Sequence, residues 1–196
     1  MDLKDRVIKI VTTPKTEWPV IAAETTDVAS LYKGYIIPLA AIPVIATFIG
    51  MTVFGVNAII VRYRVPIGTA LTNAILTYVL MLAGVYLSAL VIDWLAPKFQ
   101  SVSGLIQALK LVAYASTPMW IAGVLNIVPA LAIFGALIGL YGIYLFYLGM
   151  TPTMKTPQNQ IIPYMVVSLI VVIVVQIIVG AIVAAIASPL VRTPIL

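Results

Sequence analysis

Long uncharged stretches alternate with short charged segments along this chain. Residues 34–61 and 65–92 each run for 28 residues without a charge, and residues 111–154 run for 44. About 20 apolar helical residues cross the hydrocarbon core of a bilayer, so the longest stretch has room for two helices. Pro129 separates them, because proline can begin a helix but cannot continue one. The pattern predicts five transmembrane helices, at about residues 35–60, 66–93, 109–127, 129–149 and 162–187.

The first 33 residues differ, because charges and prolines interrupt their short apolar runs. Residues 2–12 have helical periodicity, and Pro14 ends the helix because the residue before a proline disfavours helical backbone angles. An amphipathic helix of this kind lies in the membrane interface. Its apolar face is Leu3, Val7, Ile10 and Val11, and its polar face is Asp2, Asp5, Arg6 and Lys9. We predict an all-α polytopic membrane protein, with a cytoplasmic, interfacial segment at residues 1–33 and a five-helix transmembrane domain at residues 34–196.

The segment "PKTEWPVIAAE", residues 14–24, follows this amphipathic helix. Trp18 is the expected membrane anchor, because an indole ring buries its apolar body while its N–H stays near water. Pro19 stiffens the chain beside it, and Glu17 and Glu24 are expected to avoid anionic headgroups and to point to water or to basic groups such as Lys98 and Lys110. The segment is therefore expected to dock on the cytoplasmic ends of the spans. We predict that these four residues form a surface for lipids or partner proteins.

Composition assigns the chain to the integral membrane proteins and removes most catalytic chemistry. Hydrophobic residues make up 63% of the chain and charged residues 9%, against about 25% charged in a soluble domain. Cysteine and histidine are both absent, which removes thiol chemistry and the commonest general base and metal ligand. Asp93 is the only acid near a predicted span, and we expect a solvated carboxylate facing Lys98 or Lys110. We predict no enzymatic activity, no metal and no cofactor.

Basic residues predict the orientation. Five spans place the termini on opposite sides, and a cytoplasmic N-terminus gives that side eight basic residues against three, as the positive-inside rule favours. The eight are Lys4, Arg6, Lys9, Lys15, Lys33, Lys98, Lys110 and Lys155, and the three are Arg62, Arg64 and Arg192. The net charge of +5 comes from scattered residues, so we expect no nucleic-acid partner. The C-terminus is predicted to lie outside.

Polar residues within the spans support two interpretations. Hydroxyl and amide groups in apolar helices usually bond to neighbouring helices, but they can also line a cavity for a neutral or lipid-like substrate. The candidate lining residues are Thr47, Asn57, Thr72, Asn73 and Asn126. We expect no buried charge in the spans, so coupling of transport to protons or ions lacks an obvious carrier.

Prolines and glycines predict where the helices bend and touch. Pro38, Pro43 and Pro118 are expected to kink spans one and three. Gly135 and Gly139 form a GxxxG step in span four, which lets another helix approach closely. With the break near Pro129, this step predicts a tight hairpin of spans three and four.

Several motifs together resemble the YIP (Ypt-interacting protein) domain family, particularly its prokaryotic branch. They are "TTPKTEWPVIAAE", "SLYKGYIIPLAAI", "LKLVAYASTPMW", "IVPAL" and "LYGIYLFYLGMTPTMKTP", in this order along nearly the whole chain. The resemblance implies a five-span helical domain with a cytoplasmic N-terminus, in the cytoplasmic membrane of a prokaryote. Eukaryotic members act in vesicle trafficking and associate with prenylated small GTPases. This chain lacks their long cytoplasmic N-terminal region, which argues against a GTPase partner.

Two functional hypotheses follow. The first is a non-enzymatic membrane protein that organises or remodels the bilayer and recruits membrane-protein partners, as a homo-oligomer in contact with membrane lipids. The second is a small channel, transporter or lipid-translocating protein for a neutral or lipid-like substrate. A continuous polar cavity between the spans would favour the second hypothesis.

Overall fold

The computed structural model describes residues 2–58, 61–63 and 65–191, and side chains within residues 2–55 and 65–186. Among these residues, five helices are long and apolar enough to cross a membrane. They are span one (Val28–Phe54), span two (Ile67–Phe99), span three (Leu105–Ile127), span four (Pro129–Met154) and span five (Gln158–Ile186). The prediction of a helical, five-span membrane protein is confirmed.

Two further helices precede the spans. Helix α1 is Leu3–Thr12 and helix α2 is Pro14–Ala23. Pro14 occupies the first turn of α2, where a missing backbone N–H costs nothing. The spans contain α3 (Val28–Leu31), α4 (Ile37–Ile49), α5 (Ile67–Leu95), α6 (Leu105–Ala115), α7 (Thr117–Ala122), α8 (Ala132–Gly139), α9 (Tyr141–Met154) and α10 (Gln158–Val191), with π-helical turns at Tyr32–Ile36 and Gly50–Phe54 and 3-10 turns at Ala96–Phe99, Gly123–Ile127 and Pro129–Leu131.

Helix α1 packs its apolar face against the protein. Ile10 is fully buried in the core, and Leu3, Val7 and Val11 pack against that core. Arg6, which the sequence pattern assigned to the polar face, is also buried, one helical turn before Ile10. The apolar face therefore contacts the helical bundle, and the predicted location of α1 in the membrane interface stays a prediction.

Span one begins and ends earlier than predicted. It starts at Val28 because Asp27 caps it: the Ser30 N–H donates to Oδ1 of Asp27 at 2.8 Å. It ends at Phe54, before Gly55, whose φ of 77° is one that glycine adopts readily. A two-stranded antiparallel hairpin follows, with β1 (Val56–Ala58) paired to β2 (Val61–Tyr63). The predicted range 35–60 is therefore wrong at both ends, and the boundary at residue 34 falls inside the helix.

Span three is the centre of the bundle. It is the most buried of the five spans, and it packs against spans one, two and four. Span five packs mainly against span two and lies at the periphery. Within Gln158–Ile186, which the structure describes throughout, the most apolar 18-residue window contains no buried residue. Span three therefore contributes more residues to the core than any other span. Span five buries Ile161, Tyr164 and Ser168 near its start, and its most apolar part has no buried side chain.

The three prolines occupy different positions in the helices. Pro38 lies in the first turn of α4, just after the π-helical turn. Pro118 lies in the first turn of α7, where Ser116 separates α6 from α7. Pro43 lies inside the unbroken helix α4. It contacts span three closely, since a Cβ on Gly123 would be 2.4 Å from the Pro43 Cβ.

Candidate functional site

A buried ion cluster holds the two N-terminal helices in place. The Arg6 guanidinium of α1 donates to the Glu17 carboxylate of α2 and to the Glu24 carboxylate just after α2. Arg6 is 4% exposed and Glu17 is 5% exposed. Burial opposes the Arg6 charge, but the hydrogen bond to Glu24 and the neighbouring charges outweigh it, so the pKa of Arg6 is raised. The guanidinium therefore stays charged and joins α1 to α2.

Lys110 joins α2 to span three. Its Nζ donates to the backbone carbonyl oxygens of Ile21, at 2.8 Å, and Glu24, at 2.6 Å. These carbonyls belong to the C-terminal end of α2, where the helix dipole favours a cation and the last carbonyls need donors. Lys110 is 2% exposed, so the protein replaces the water that would otherwise hydrate its ammonium group. We call α1, α2, Arg6, Glu17, Glu24 and Lys110 the clasp.

Aromatic and polar side chains complete the attachment of the clasp. The Trp18 ring meets the Tyr114 ring edge to face, with centroids 6.2 Å apart. The Tyr141 hydroxyl of span four donates to the Val11 carbonyl oxygen at 3.0 Å. The Gln107 amide donates to the Ala22 carbonyl oxygen at 3.1 Å. Spans three and four thus bind both helices of the clasp.

Only part of the predicted surface at residues 17–24 is exposed. Trp18 is fully buried and Glu17 is nearly so, so the prediction that these two face lipids or partners is wrong. Pro19 is exposed, and the Glu24 side chain is 41% exposed. The packing of α2 on spans three and four agrees with the expectation that this segment docks on the ends of the spans. Its buried face was not predicted, because no helical periodicity of apolar residues marks one of its faces.

Tryptophan fluorescence can check the burial of Trp18. In a variant with Trp94 and Trp120 replaced by phenylalanine, we expect a blue-shifted Trp18 emission that iodide does not quench, because the ring has no contact with water. The matched control keeps Trp94, which is 66% exposed, and replaces the other two tryptophans. Equal iodide quenching of both variants would show that the clasp is not docked.

Two adjoining cavities lie between the spans: spans one, two, three and five line the first, and all five spans line the second. The first has a volume of 290 Å³ and the second a volume of 250 Å³. Both are lined by Pro43, Met81, Met119 and Asn126. Their lining is mostly apolar, with a few amide and hydroxyl groups, as is typical of sites for small ligands.

Three of the five predicted lining residues meet in the first cavity. Thr47, Asn73 and Asn126 line it, and the Asn126 amide donates to the Thr47 hydroxyl oxygen at 3.2 Å. Thr72 is exposed, and its hydroxyl donates to the Gly68 carbonyl oxygen of its own helix, so the prediction for Thr72 is wrong. Asn57 lies in β1, and its side chain is outside the described residues.

Glycines allow spans three and four to approach each other. A Cβ on Gly135 would be 3.1 Å from the Ala122 carbonyl oxygen, and one on Gly139 would be 3.5 Å from the Met119 Cβ. Both predicted packing glycines therefore face span three. Gly142, which the GxxxG motif does not include, is closer still, at 2.5 Å from the Ala115 carbonyl oxygen. The closest approach thus lies one turn beyond the motif.

Asp93 has a structural partner at the end of span two. Its Oδ1 accepts a hydrogen bond from the Gly104 N–H at 2.5 Å, at the start of span three. The predicted basic partners are engaged elsewhere: Lys98 lies 3.9 Å from the centroid of the Trp94 ring, and Lys110 belongs to the clasp. Among the described residues, no three histidine, cysteine, aspartate or glutamate side chains could hold a metal ion.

Substitutions at Asp93 test this structural role. We expect Asp93→Asn to remain close to wild type, because its amide oxygen still accepts the Gly104 hydrogen bond. Asp93→Ala should lose about 1 kcal/mol in the free energy of unfolding, since the partly buried N–H loses its partner. Denaturant titration in detergent measures both. Equal losses in the two variants would mean that the negative charge matters.

Comparison with known proteins identifies relatives of this chain. Residues 8–187 match the Yip1 domain. The inner membrane protein YohC of Escherichia coli K12 is 34% identical over 142 residues, which cover 69% of this chain and 72% of that protein. The protein of the same name in Escherichia coli O6:H1 matches with the same identity and coverage. No solved structure matches the chain significantly.

Proposed function

Because the chain belongs to the Yip1 domain family and is an integral protein of the cytoplasmic membrane, we propose that it organises the bilayer and recruits membrane partners without catalysis. The ordered packing of the clasp is the observation that supports this proposal most directly. Its buried ion cluster and hydrogen bonds hold α1 and α2 at one end of the bundle as an ordered surface. A surface of this kind can present side chains to lipid headgroups and to other proteins.

The outer face of the clasp combines basic and apolar side chains. Lys4, Lys9 and Lys15 are exposed, as are Ile8, at 47%, and Val20, at 46%. Each lysine near an anionic membrane surface contributes about 1 kcal/mol of attraction, and exposed apolar side chains can enter the headgroup region. Asp2 and Asp5 are also exposed and reduce this attraction, but three lysines against two aspartates leave a basic surface, which favours contact with anionic lipids.

Lipid selectivity tests the proposal. In bilayers of phosphatidylcholine and phosphatidylglycerol, spin-labelled lipids report which headgroup is held next to the protein. We expect a preference for phosphatidylglycerol that falls when Lys4, Lys9 and Lys15 are replaced by glutamine, and that persists when they are replaced by arginine. The preference should also weaken with salt. Equal association of both lipids with the wild-type protein would overturn the proposal.

We also propose that the protein acts as a homo-oligomer and that its N-terminus is cytoplasmic. The unburied apolar face of span five supports the first statement, and the eight-to-three distribution of basic residues supports the second. Counting photobleaching steps of single labelled particles in a bilayer tests the oligomer. Single steps throughout would show a monomer.

Reporter fusions test the orientation. A reporter active only in the cytoplasm should be active when fused before Met1 and inactive when fused after Leu196, and a reporter active only outside should behave in the opposite way. The expected result follows from five spans together with the excess of basic residues at one end. Activity of one reporter at both termini would contradict the odd number of crossings.

A second candidate function is translocation of a neutral or lipid-like substrate. The two cavities between the spans favour it, because they place amide and hydroxyl groups at membrane depth. Movement of a fluorescent neutral lipid between the leaflets of proteoliposomes tests it. A rate equal to that of protein-free vesicles would remove this candidate and leave the proposal for the clasp unaffected.

A further inference from the structure

The two cavities follow one side of span two. Ala70, Asn73, Ala74, Thr77 and Met81 line the first, and Met81, Val85 and Ser88 line the second. These positions recur every three or four residues, so they form one stripe along the helix. From residue 70 to residue 88 the stripe is about 27 Å long at 1.5 Å per residue, close to the thickness of the hydrocarbon core. We call the two cavities together the slot.

The slot has one polar end, and polar groups also occur along the rest of its mostly apolar lining. Thr47 and Asn73 line the first cavity, nearer the start of span two, and Asn126 lines both cavities. Toward the other end, Val85, Val112 and Trp120 contribute apolar surface, and Ser88, Ser116 and Gln176 contribute polar groups. Met81 and Met119 lie between the two parts, and their unbranched side chains can adapt to a ligand. This polarity matches an amphiphile whose chain lies parallel to span two.

The polar end lacks one hydrogen-bond donor. Oδ1 of Asn73 is buried and has no partner among the described residues. A carboxamide oxygen accepts hydrogen bonds and never donates them, so the missing group must carry an N–H or O–H. The Asn126 amide has two N–H groups, and its hydrogen bond to Thr47 uses one of them. Rotation of the Asn73 side chain would bring Oδ1 to the surface of the slot, where one hydroxyl could donate to Asn73 and accept from Asn126.

Charge excludes other classes of ligand. The described residues that line the slot include no lysine, arginine, aspartate or glutamate. A phosphate or ammonium headgroup would therefore lose its hydration without gaining a counter-charge. That loss is strongly unfavourable in a medium of low dielectric constant. The ligand must be neutral.

We propose that the slot binds a neutral acyl lipid with a free hydroxyl group, of the monoacylglycerol or diacylglycerol class. The hydroxyl lies between Asn73 and Asn126, and an acyl chain extends past Met81 toward Val85 and Trp120. This inference deepens the second candidate function, because it names the ligand class of the same cavities, but binding does not require translocation.

Photolabelling tests the slot directly. The probe is a monoacylglycerol with a photoreactive group in its acyl chain, added to the full-length protein in phosphatidylcholine nanodiscs, and the labelled residues are found by mass spectrometry. We expect labels on the slot-lining residues of spans two and three. Unlabelled monoacylglycerol should compete, whereas its analogue with methylated hydroxyls and lysophosphatidic acid should compete at least tenfold less well. Labels confined to the outward faces of the spans would overturn the proposal.

Two substitutions next to each other provide a matched pair. Asn73→Leu preserves the side-chain size but removes the acceptor, and it should reduce labelling roughly tenfold, the effect of one lost hydrogen bond. Thr72→Val, on the exposed side of the same turn, should leave labelling unchanged. If Asn73→Leu fails to fold, Ala74→Phe, which fills the slot without changing its polar groups, takes its place and should abolish labelling.

The outcomes distinguish this inference from the function on which it rests. Labelling of the slot without lipid movement in proteoliposomes would remove translocation and retain the binding site. Lipid movement that persists in Asn73→Leu and Ala74→Phe would retain translocation and overturn the slot as its site. Equal competition by the methylated analogue would overturn recognition of the hydroxyl.

Discussion

Replacing Arg6 by methionine is expected to lower the free energy of unfolding by about 3–5 kcal/mol, because the substitution leaves Glu17 buried without a counter-charge. Glu17 is 5% exposed, so water cannot take the place of the guanidinium. Methionine retains most of the side-chain volume, and the loss therefore measures the charge rather than a cavity. Denaturant titration in detergent measures the effect, and Trp18 fluorescence reports whether the clasp separates before the spans unfold.

Lys9→Met is the matched control, because Lys9 lies on the same helix but is exposed. We expect a change within about 0.5 kcal/mol for this variant. The double variant Arg6→Met/Glu17→Leu should recover part of the stability lost in Arg6→Met, since removing both charges costs less than leaving one unpaired. If Arg6→Met is no less stable than Lys9→Met, the ion cluster does not hold the clasp.

Gly142→Ala is expected to destabilise the protein by about 1–3 kcal/mol through overpacking of spans three and four. The added Cβ would lie 2.5 Å from the Ala115 carbonyl oxygen, and a backbone atom cannot move aside without shifting its helix. Thermal unfolding in detergent measures the loss as a lower melting temperature.

Two other glycines are controls for helix propensity. Gly139→Ala should be close to neutral, because its Cβ would be 3.5 Å from the Met119 side chain, an ordinary contact distance. Gly180→Ala should be neutral or stabilising, since no atom lies within 4 Å of its Cβ and alanine favours the helix. A Gly142→Ala variant as stable as these two would show that spans three and four are further apart than the structure places them.

The number and type of the spans followed from local properties of the sequence. A stretch of apolar residues long enough to cross the bilayer must satisfy its backbone hydrogen bonds internally, so a helix is the outcome whatever its neighbours are. The ends of span one could not be predicted in the same way. Charges delimit an uncharged stretch, but Asp27 as a cap and the positive φ of Gly55 delimit the helix.

The two candidate sites differ in how far the sequence revealed them. Polar residues in apolar helices are conspicuous, and three of the five proposed lining residues meet in the cavity: Thr47, Asn73 and Asn126. Thr72 does not, because neighbouring residues on a helix point in directions about 100° apart. The sequence predicted that residues 14–24 dock on the ends of the spans, but it did not predict the ion cluster, because this cluster joins residues 11 and 18 positions apart that become neighbours only when α2 folds back on α1.

The sequence by itself therefore determined that the chain is a five-span helical membrane protein. Composition, hydropathy and the positions of the charged residues were sufficient, because insertion into a bilayer depends on each segment separately. Tertiary structure alone decided that Trp18 and Glu17 are buried, that Arg6 and Lys110 hold α1 and α2, and which of the five candidate residues line a cavity. These outcomes depend on which helices pack together and at what angle. Such packing arises from contacts between residues distant in the sequence, which no local pattern of polarity contains.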